Sequence, residues 1–416
     1  MPTFKLDIGR AGAPAALLAA LFWACLPAAH AQVVTVAAKV ENSALNGPLF
    51  QQLLIGEIEA REGDLGAAYQ LMLDAARRTK DEQLFRRATE LALQGRAGED
   101  AMTAVKAWRQ ALPNSVDALR YQVQLLVQLN RTPEVVEPLQ SLIRQTAPEQ
   151  RPALIAALPR FFARSNDRAQ TATVIEQALL PYSDAPDTRV AARVSIGRGW
   201  LAAFNGTKAL ALAQSAHEMD RADEAPAGLA LEMLPGPPDA EAIVKDHLEA
   251  KPDSNGVRLL YVRSLLAAQR VTDATDQLET LTHNAPKLPQ AWLTLGALHL
   301  QLRESDKAIA ALQQYLDLVQ ASDTPATDTV AAGTDDDAPP ATKEDALTRG
   351  WLLMSQAADQ KGDLKGAEAW LAKIENPQRA LEVQARRASL LAREGKVAQA
   401  RALIHRLPEA DRKSVV

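Results

Sequence analysis

The chain has 416 residues, with 20 Gly and 24 Pro, so it is neither collagen-like nor a Pro/Gly-rich disordered polymer. Aromatic residues make up only 4%, whereas alanines number 79, a balance that argues against β-sandwiches and barrels and for helices. The formal net charge of −5 disfavours nucleic acid or an anionic membrane surface as a partner.

The first element is an export signal over residues 1–31. Lys5 and Arg10 form a short basic region, Ala11 to Leu26 is almost wholly apolar, and Ala29-His30-Ala31 supplies a small-x-small cleavage site. The apolar run is shorter than the roughly 20 residues a spanning helix needs, so cleavage after Ala31 and a periplasmic location are expected. The alternative is an outer-membrane lipoprotein acylated at Cys25, the single cysteine. The preceding Phe22-Trp23-Ala24 departs from the lipoprotein pattern, which wants Leu and a small residue at the first two of these positions. Cleavage after Ala31 leaves a mature chain without cysteine, hence without disulfide or thiolate chemistry. It also leaves 44 basic and 50 acidic residues, a net −6. Residues 32–48 read as a flexible N-terminal segment.

From residue 49 onward a fixed period dominates. Ala240, Ala274 and Ala308 stand 34 residues apart, as do Pro252 and Pro286. The sharpest copy runs Trp292, Leu295, Gly296, Ala308, Leu312, Tyr315. Others carry Gly56, Gly63, Ala68 and Ala75; Trp351, Gly362 and Ala367; and Arg393 to Ala400. Weaker copies include Ala101 with Pro113, and Asn130 at a turn. This spacing is that of the tetratricopeptide (TPR) repeat, which the chain resembles over about 360 residues. The predicted fold is all-α, a right-handed TPR superhelix (α-solenoid) of about ten helix-turn-helix units. Packing explains the pattern. Small residues at positions 8 and 20 let helices A and B of a unit approach. Gly at position 15 ends helix A in a left-handed conformation, and Pro near position 32 stops helix B. Trp292 and Trp351 are expected in the core, and Gly296 is expected to face Ala308.

The predicted organisation places a first half of the array at 49–235 and a second at 236–322, divided by Leu234-Pro-Gly-Pro-Pro238. An acidic, Pro/Thr-rich disordered loop follows at 323–343, and C-terminal units at 344–410. The register over 150–225 is poor. The loop's Asp335-Asp336-Asp337 lacks the alternating ligand spacing of a calcium loop, so no metal or other cofactor is expected. Asn205-Gly206-Thr207 reads as a turn between helices. No phosphate loop, dinucleotide fingerprint or zinc-protease motif occurs. The six histidines are scattered, as surface or half-buried helical histidines would be.

A narrower resemblance covers the opening units. Leu49-Phe-Gln-Gln-Leu-Leu-Ile-Gly-Glu-Ile-Glu-Ala, then Ala67-Ala-Tyr69, Ala75 and Phe85-Arg-Arg-Ala88, is similar to the start of exported proteobacterial TPR proteins. That group includes the outer-membrane lipoprotein adaptor of a carboxyl-terminal processing protease. The resemblance implies a non-catalytic periplasmic scaffold with a protein partner, such as a periplasmic protease or cell-wall enzyme. The competing reading is a periplasmic enzyme or small-ligand receptor on a helical solenoid. In TPR arrays helix A lines the inner groove. The register then assigns the partner-binding surface to Glu57 and Arg61; Arg120, Gln124 and Gln128; Arg263; Gln301; and Gln356 and Gln360.

Overall fold

The computed structural model describes residues 45–163, 165, 167–322, 342–375 and 380–405. The expected export signal, Cys25, most of the N-terminal segment and the acidic stretch from 323 to 341 lie outside the described residues. Among the described residues there are twenty α-helices and no strand. Taken in consecutive pairs they form ten hairpins: α1 (Gly47–Glu62) with α2 (Leu65–Thr79), α3 (Glu82–Gln94) with α4 (Gly98–Ala111), α5 (Val116–Gln128) with α6 (Val136–Gln145), α7 (Arg151–Phe161) with α8 (Arg168–Leu179), and α9 (Arg189–Ala202) with α10 (Gly206–Met219). The series continues with α11 (Glu224–Glu232) and α12 (Pro238–Ala250), α13 (Asn255–Ala267) and α14 (Val271–Asn284), α15 (Pro289–Gln301) and α16 (Ser305–Ala321), α17 (Lys343–Lys361) and α18 (Leu364–Leu371), and α19 (Ala380–Arg393) and α20 (Val397–His405). The protein is thus an all-α solenoid of TPR-like hairpins.

One device builds eight of these hairpins. Gly63, Arg96, Asn130, Phe204, Gln269, Arg303, Gly362 and Gly395 each have a left-handed backbone, with φ from 56° to 95°. The N–H of the following residue then reaches back to the carbonyl five residues earlier. Asp64 to Glu59, Asn205 to Trp200 and Glu304 to His299 are examples, at 2.8–2.9 Å. That bond closes the helix end and turns the chain. In each of these units the residue five positions after the turn residue is buried: Ala68, Ala101, Val135, Ala209, Ala274, Ala308, Ala367 and Ala400. The turn and the tight helix–helix contact are therefore coupled at a fixed spacing.

Glycine occupies only three of the eight turn positions, although an L-side chain there costs roughly 1–2 kcal/mol. Gly63 has φ +95° and open space where a Cβ would sit, so its role is purely conformational. Gly63→Ala is expected to lower stability by about 1 kcal/mol, whereas Gln269→Gly should not lower it. Thermal melts of the two variants beside wild type check this; a Gly63→Ala protein melting with wild type would remove the conformational argument.

Position 8 packs as expected. A Cβ on Gly296 would lie 3.5 Å from the Ala308 carbonyl oxygen and 2.6 Å from Leu312 Cγ. Gly56 repeats this against Ala68 and Met72, and Gly197 against Ala209. Residues 190–223, where the sequence register is poor, therefore form a regular unit whose turn residue is Phe204 rather than glycine. Asn205 caps α10, its side chain accepting from Lys208 N at 3.1 Å, so the Asn205-Gly206-Thr207 segment is a helix start.

Helices also pack one unit apart: α7 on α9, α9 on α11, α11 on α13 and α15 on α17 form an A layer, while α2 on α4, α6 on α8 and α10 on α12 form a B layer. The core runs between the layers as overlapping clusters, Ala68 to Ile196, Val194 to Ala311, Leu293 to Ala357 and Leu352 to Leu390. The turn at 233–237 joins α11 to α12 inside the second of these clusters. Trp292 and Trp351 are only partly buried, Trp292 bridging two clusters. The largest wholly buried side chain is Trp108 on α4.

Candidate functional site

The A layer carries all nine residues assigned from the sequence, and the structure sorts them by position. The four at position 9, Glu57, Gln124, Arg263 and Gln356, are half-buried. The four at position 13, Arg61, Gln128, Gln301 and Gln360, are exposed, as is Arg120 at position 5. On a helix positions 9 and 13 are four residues apart and share a face. Position 9 leans into the neighbouring unit while position 13 faces solvent.

The half-buried row is used for joining units. Glu57 on α1 takes both oxygens to Arg87 on α3, at 2.8 Å each. The Arg87 hydrogen bonds hold the Glu57 carboxyl below its ordinary pKa, against a smaller opposing effect of burial. One unit along, Tyr121 donates to Glu90 at 3.2 Å. Burial, and then the Glu90 charge, push the Tyr121 hydroxyl up to about 12. Near the other end, Arg386 approaches Gln356 at 3.5 Å. In each case position 9 of one unit meets position 6 of the next. These partners, Arg87, Tyr121 and Arg386, escape a groove-only reading. Their sequence signal is a complementary residue 30 or 31 positions on. Arg120 pairs with Asp117 at 3.5 Å on its own helix.

Three of the nine converge. Gln301 at the end of α15 and Gln356 and Gln360 on α17 line one open cleft of about 400 Å³. Its apolar floor is Ala297, Leu300 and Leu353, and Arg303 stands at the turn beside it. Gln360 is oriented by the protein: its Nε2 donates to the Leu300 carbonyl at 3.2 Å, and its Oε1 accepts from Ser305 Oγ at 3.4 Å. Lys361 pairs with Asp306 at 2.6 Å, tying α17 to the start of α16 and fixing that end of the cleft. Arg120 and Arg263 lie in other units.

Three histidines are buried, where surface or half-buried positions are expected: His217, His247 and His299. Each ring finds internal partners. His299, at position 11, meets Glu304 at 2.8 Å. His217 meets Asp246 at 2.5 Å. His247 sits between the Arg221 carbonyl and the Ser254 hydroxyl, 3.0 Å from each. Ser254 also reaches Glu224 at 3.0 Å. His247 is 0% exposed and Ser254 2%, so this serine–histidine contact is closed to a substrate and serves the joint between α11, α12 and α13. Among the described residues no group of three His, Cys, Asp or Glu side chains could hold a metal ion, and no helix is long and apolar enough to cross a membrane.

An electrostatic knot joins α12 to α13 and to the turn before α14. Glu241 on α12 accepts from Arg270 at 2.7 Å, from the buried Tyr261 hydroxyl at 2.6 Å and from Lys245 at 2.9 Å. These donors, Arg270 first, hold its carboxyl at about 2 against an ordinary 4.5. Folding therefore favours the ionised form. The stabilisation is complete above about pH 4.5 and is lost as pH falls from there toward 2. Glu241→Gln is expected to cost about 1–3 kcal/mol at pH 7, after allowing for solvent screening, and to flatten the acid limb in that window. Melting temperatures between pH 7 and 3 check both parts; parallel curves for variant and wild type would refute the assignment.

No family model matches the chain, and no curated protein does. Solved structures that align with it are helical-repeat proteins. The Cut9–Hcn1 hetero-tetramer of the APC/C is 12% identical over 88% of this chain and 73% of that one, with a TM-score of 0.32. The TPR domain of P58(IPK) is 13% identical over 86% and 99%, with a TM-score of 0.26. Yeast Tom70 is 10% identical over 86% and 91%, with a TM-score of 0.23.

Proposed function

We propose that the protein is a non-catalytic scaffold of the bacterial periplasm that holds a partner protein along its A-helix face, in envelope proteolysis or cell-wall maintenance. The observation that carries this reading is the convergence of Gln301, Gln356 and Gln360 on one open polar cleft between adjacent A helices. Exposed Arg61 and Gln128 extend the same row into earlier units. Long amide and guanidinium side chains on a rigid solenoid face suit an extended protein segment. The export signal supports the compartment, and the resemblance of the first two units supports the envelope role.

The test uses the mature protein as bait in an envelope extract. Replacing Arg61, Gln128 and Gln301 together by alanine should reduce partner capture while helical content and melting stay unchanged. Capture that survives these replacements but is lost on deleting residues 323–342 would move binding to the acidic segment. The compartment is checked by mass spectrometry of the mature N-terminus. Gln32 is expected; a lipid on Cys25 would make the protein a membrane-anchored adaptor instead.

A further inference from the structure

The α15–α17 cleft has a chemistry more specific than a polar groove. Its three charge-neutral walls are primary amides, each carrying a carbonyl acceptor and two N–H donors. A peptide group carries one acceptor and one donor, so a glutamine amide can meet it on both sides. Gln360 is engaged by Leu300 and Ser305. The Gln301 side chain makes no hydrogen bond among the described residues, and that of Gln356 has only the 3.5 Å approach of Arg386. Two amides thus keep bonding capacity in a cleft they line together with Ala297, Leu300 and Leu353.

The single charged group of the cleft is Arg303. Both neighbouring carboxylates are committed elsewhere. Glu304 is held by His299 at 2.8 Å and Lys307 at 3.3 Å, and Asp306 by Lys361 at 2.6 Å. Arg303 is exposed and has no ion pair among the described residues, which leaves a local uncompensated cation on an acidic protein. Because the cleft is open rather than enclosed, a bound chain can pass through it without having to end there.

Resting on the scaffold reading above, we propose that this cleft is a main-chain clamp. It takes an extended peptide segment of small apolar residues, bonds one of its peptide groups between Gln301 and Gln356, and sets an internal Asp or Glu side chain against Arg303. The floor of Ala297, Leu300 and Leu353 accepts the small side chains on one side of the strand. Recognition through the backbone tolerates sequence variation, and the carboxylate adds the preference.

Calorimetric titration of the purified mature protein with synthetic peptides tests this independently of any captured partner. The probe is acetyl-Ala-Val-Ala-Asp-Ala-Val-Ala-amide at low ionic strength. Three relatives accompany it: one with Lys for Asp, one N-methylated at the two alanines flanking Asp, and one with a free C-terminal carboxylate. Saturable binding of the Asp peptide is expected, with the Lys and N-methylated peptides each about tenfold weaker. Gln301→Ala with Gln356→Ala should weaken the Asp peptide about tenfold, and Gln301→Ala alone, whose side chain has no hydrogen-bond partner among the described residues, should weaken it at unchanged melting temperature. Arg303→Gln should erase the Asp-over-Lys preference while leaving the N-methyl effect in place. Equal binding of the N-methylated peptide would overturn backbone reading, and binding only of the free-carboxylate peptide would overturn the pass-through geometry. Absence of binding by every peptide would overturn the clamp, yet groove-dependent capture of a partner would still uphold the scaffold.

Discussion

Trp108→Ala should destabilise the protein by about 3–5 kcal/mol, the usual cost of emptying a large buried site. Trp108 is 0% exposed. Its ring lies nearly parallel to Phe85 at 6.4 Å and tilted against Tyr121 at 5.7 Å. Phe85 belongs to the A helix of its own hairpin and Tyr121 to the A helix of the next, so the indole pins two units together. In a solenoid the loss falls first on the nearest neighbours. Hydrogen exchange should therefore show protection lost across α3 to α6 before α13 to α18. Trp292→Ala, at a partly exposed site, should cost clearly less. Equal losses for the two variants would contradict the burial pattern.

Ala308→Leu should cost about 1–3 kcal/mol through overpacking. Ala308 is 0% exposed, and its backbone carbonyl already stands 3.5 Å from where a Gly296 Cβ would be. Leu312 occupies the remaining space, so a leucine at 308 has to separate α15 from α16. The exposed Asp276→Ala on α14 serves as control and should melt with wild type. Peptide binding adds a second readout, since the α15–α17 cleft depends on the position of α15. An Ala308→Leu protein that melts and binds like wild type would break the register assigned to this unit.

The repeat was legible because its marks are short-range. A left-handed turn residue, a small residue five positions later and another seven before the turn are set by the local geometry of two touching helices. Gly63, Gly296, Ala308 and Gly362 announce them directly. Where a unit uses Phe204 in the turn, the same geometry comes from packing rather than from glycine's freedom, and the sequence pattern fades although Gly197 and Ala209 remain in place. The number of units and the helical class were thus readable from the chain alone, as was the location of the candidate residues on helix A.

What the tertiary structure decided is which of those residues face outward and which meet. Position 9 and position 13 lie on one helical face, and nothing local distinguishes them. Only the neighbouring unit, through Arg87, Tyr121 and Arg386, draws position 9 inward and leaves position 13 in solvent. Likewise the gap of 59 residues between the turn residues Arg303 and Gly362 hides the fact that α15 and α17 are adjacent, because the acidic stretch between them lengthens the connection without separating the helices. The cleft that joins Gln301 to Gln356 and Gln360 exists because A helices stack one unit apart, and stacking is a long-range contact that no window of sequence contains.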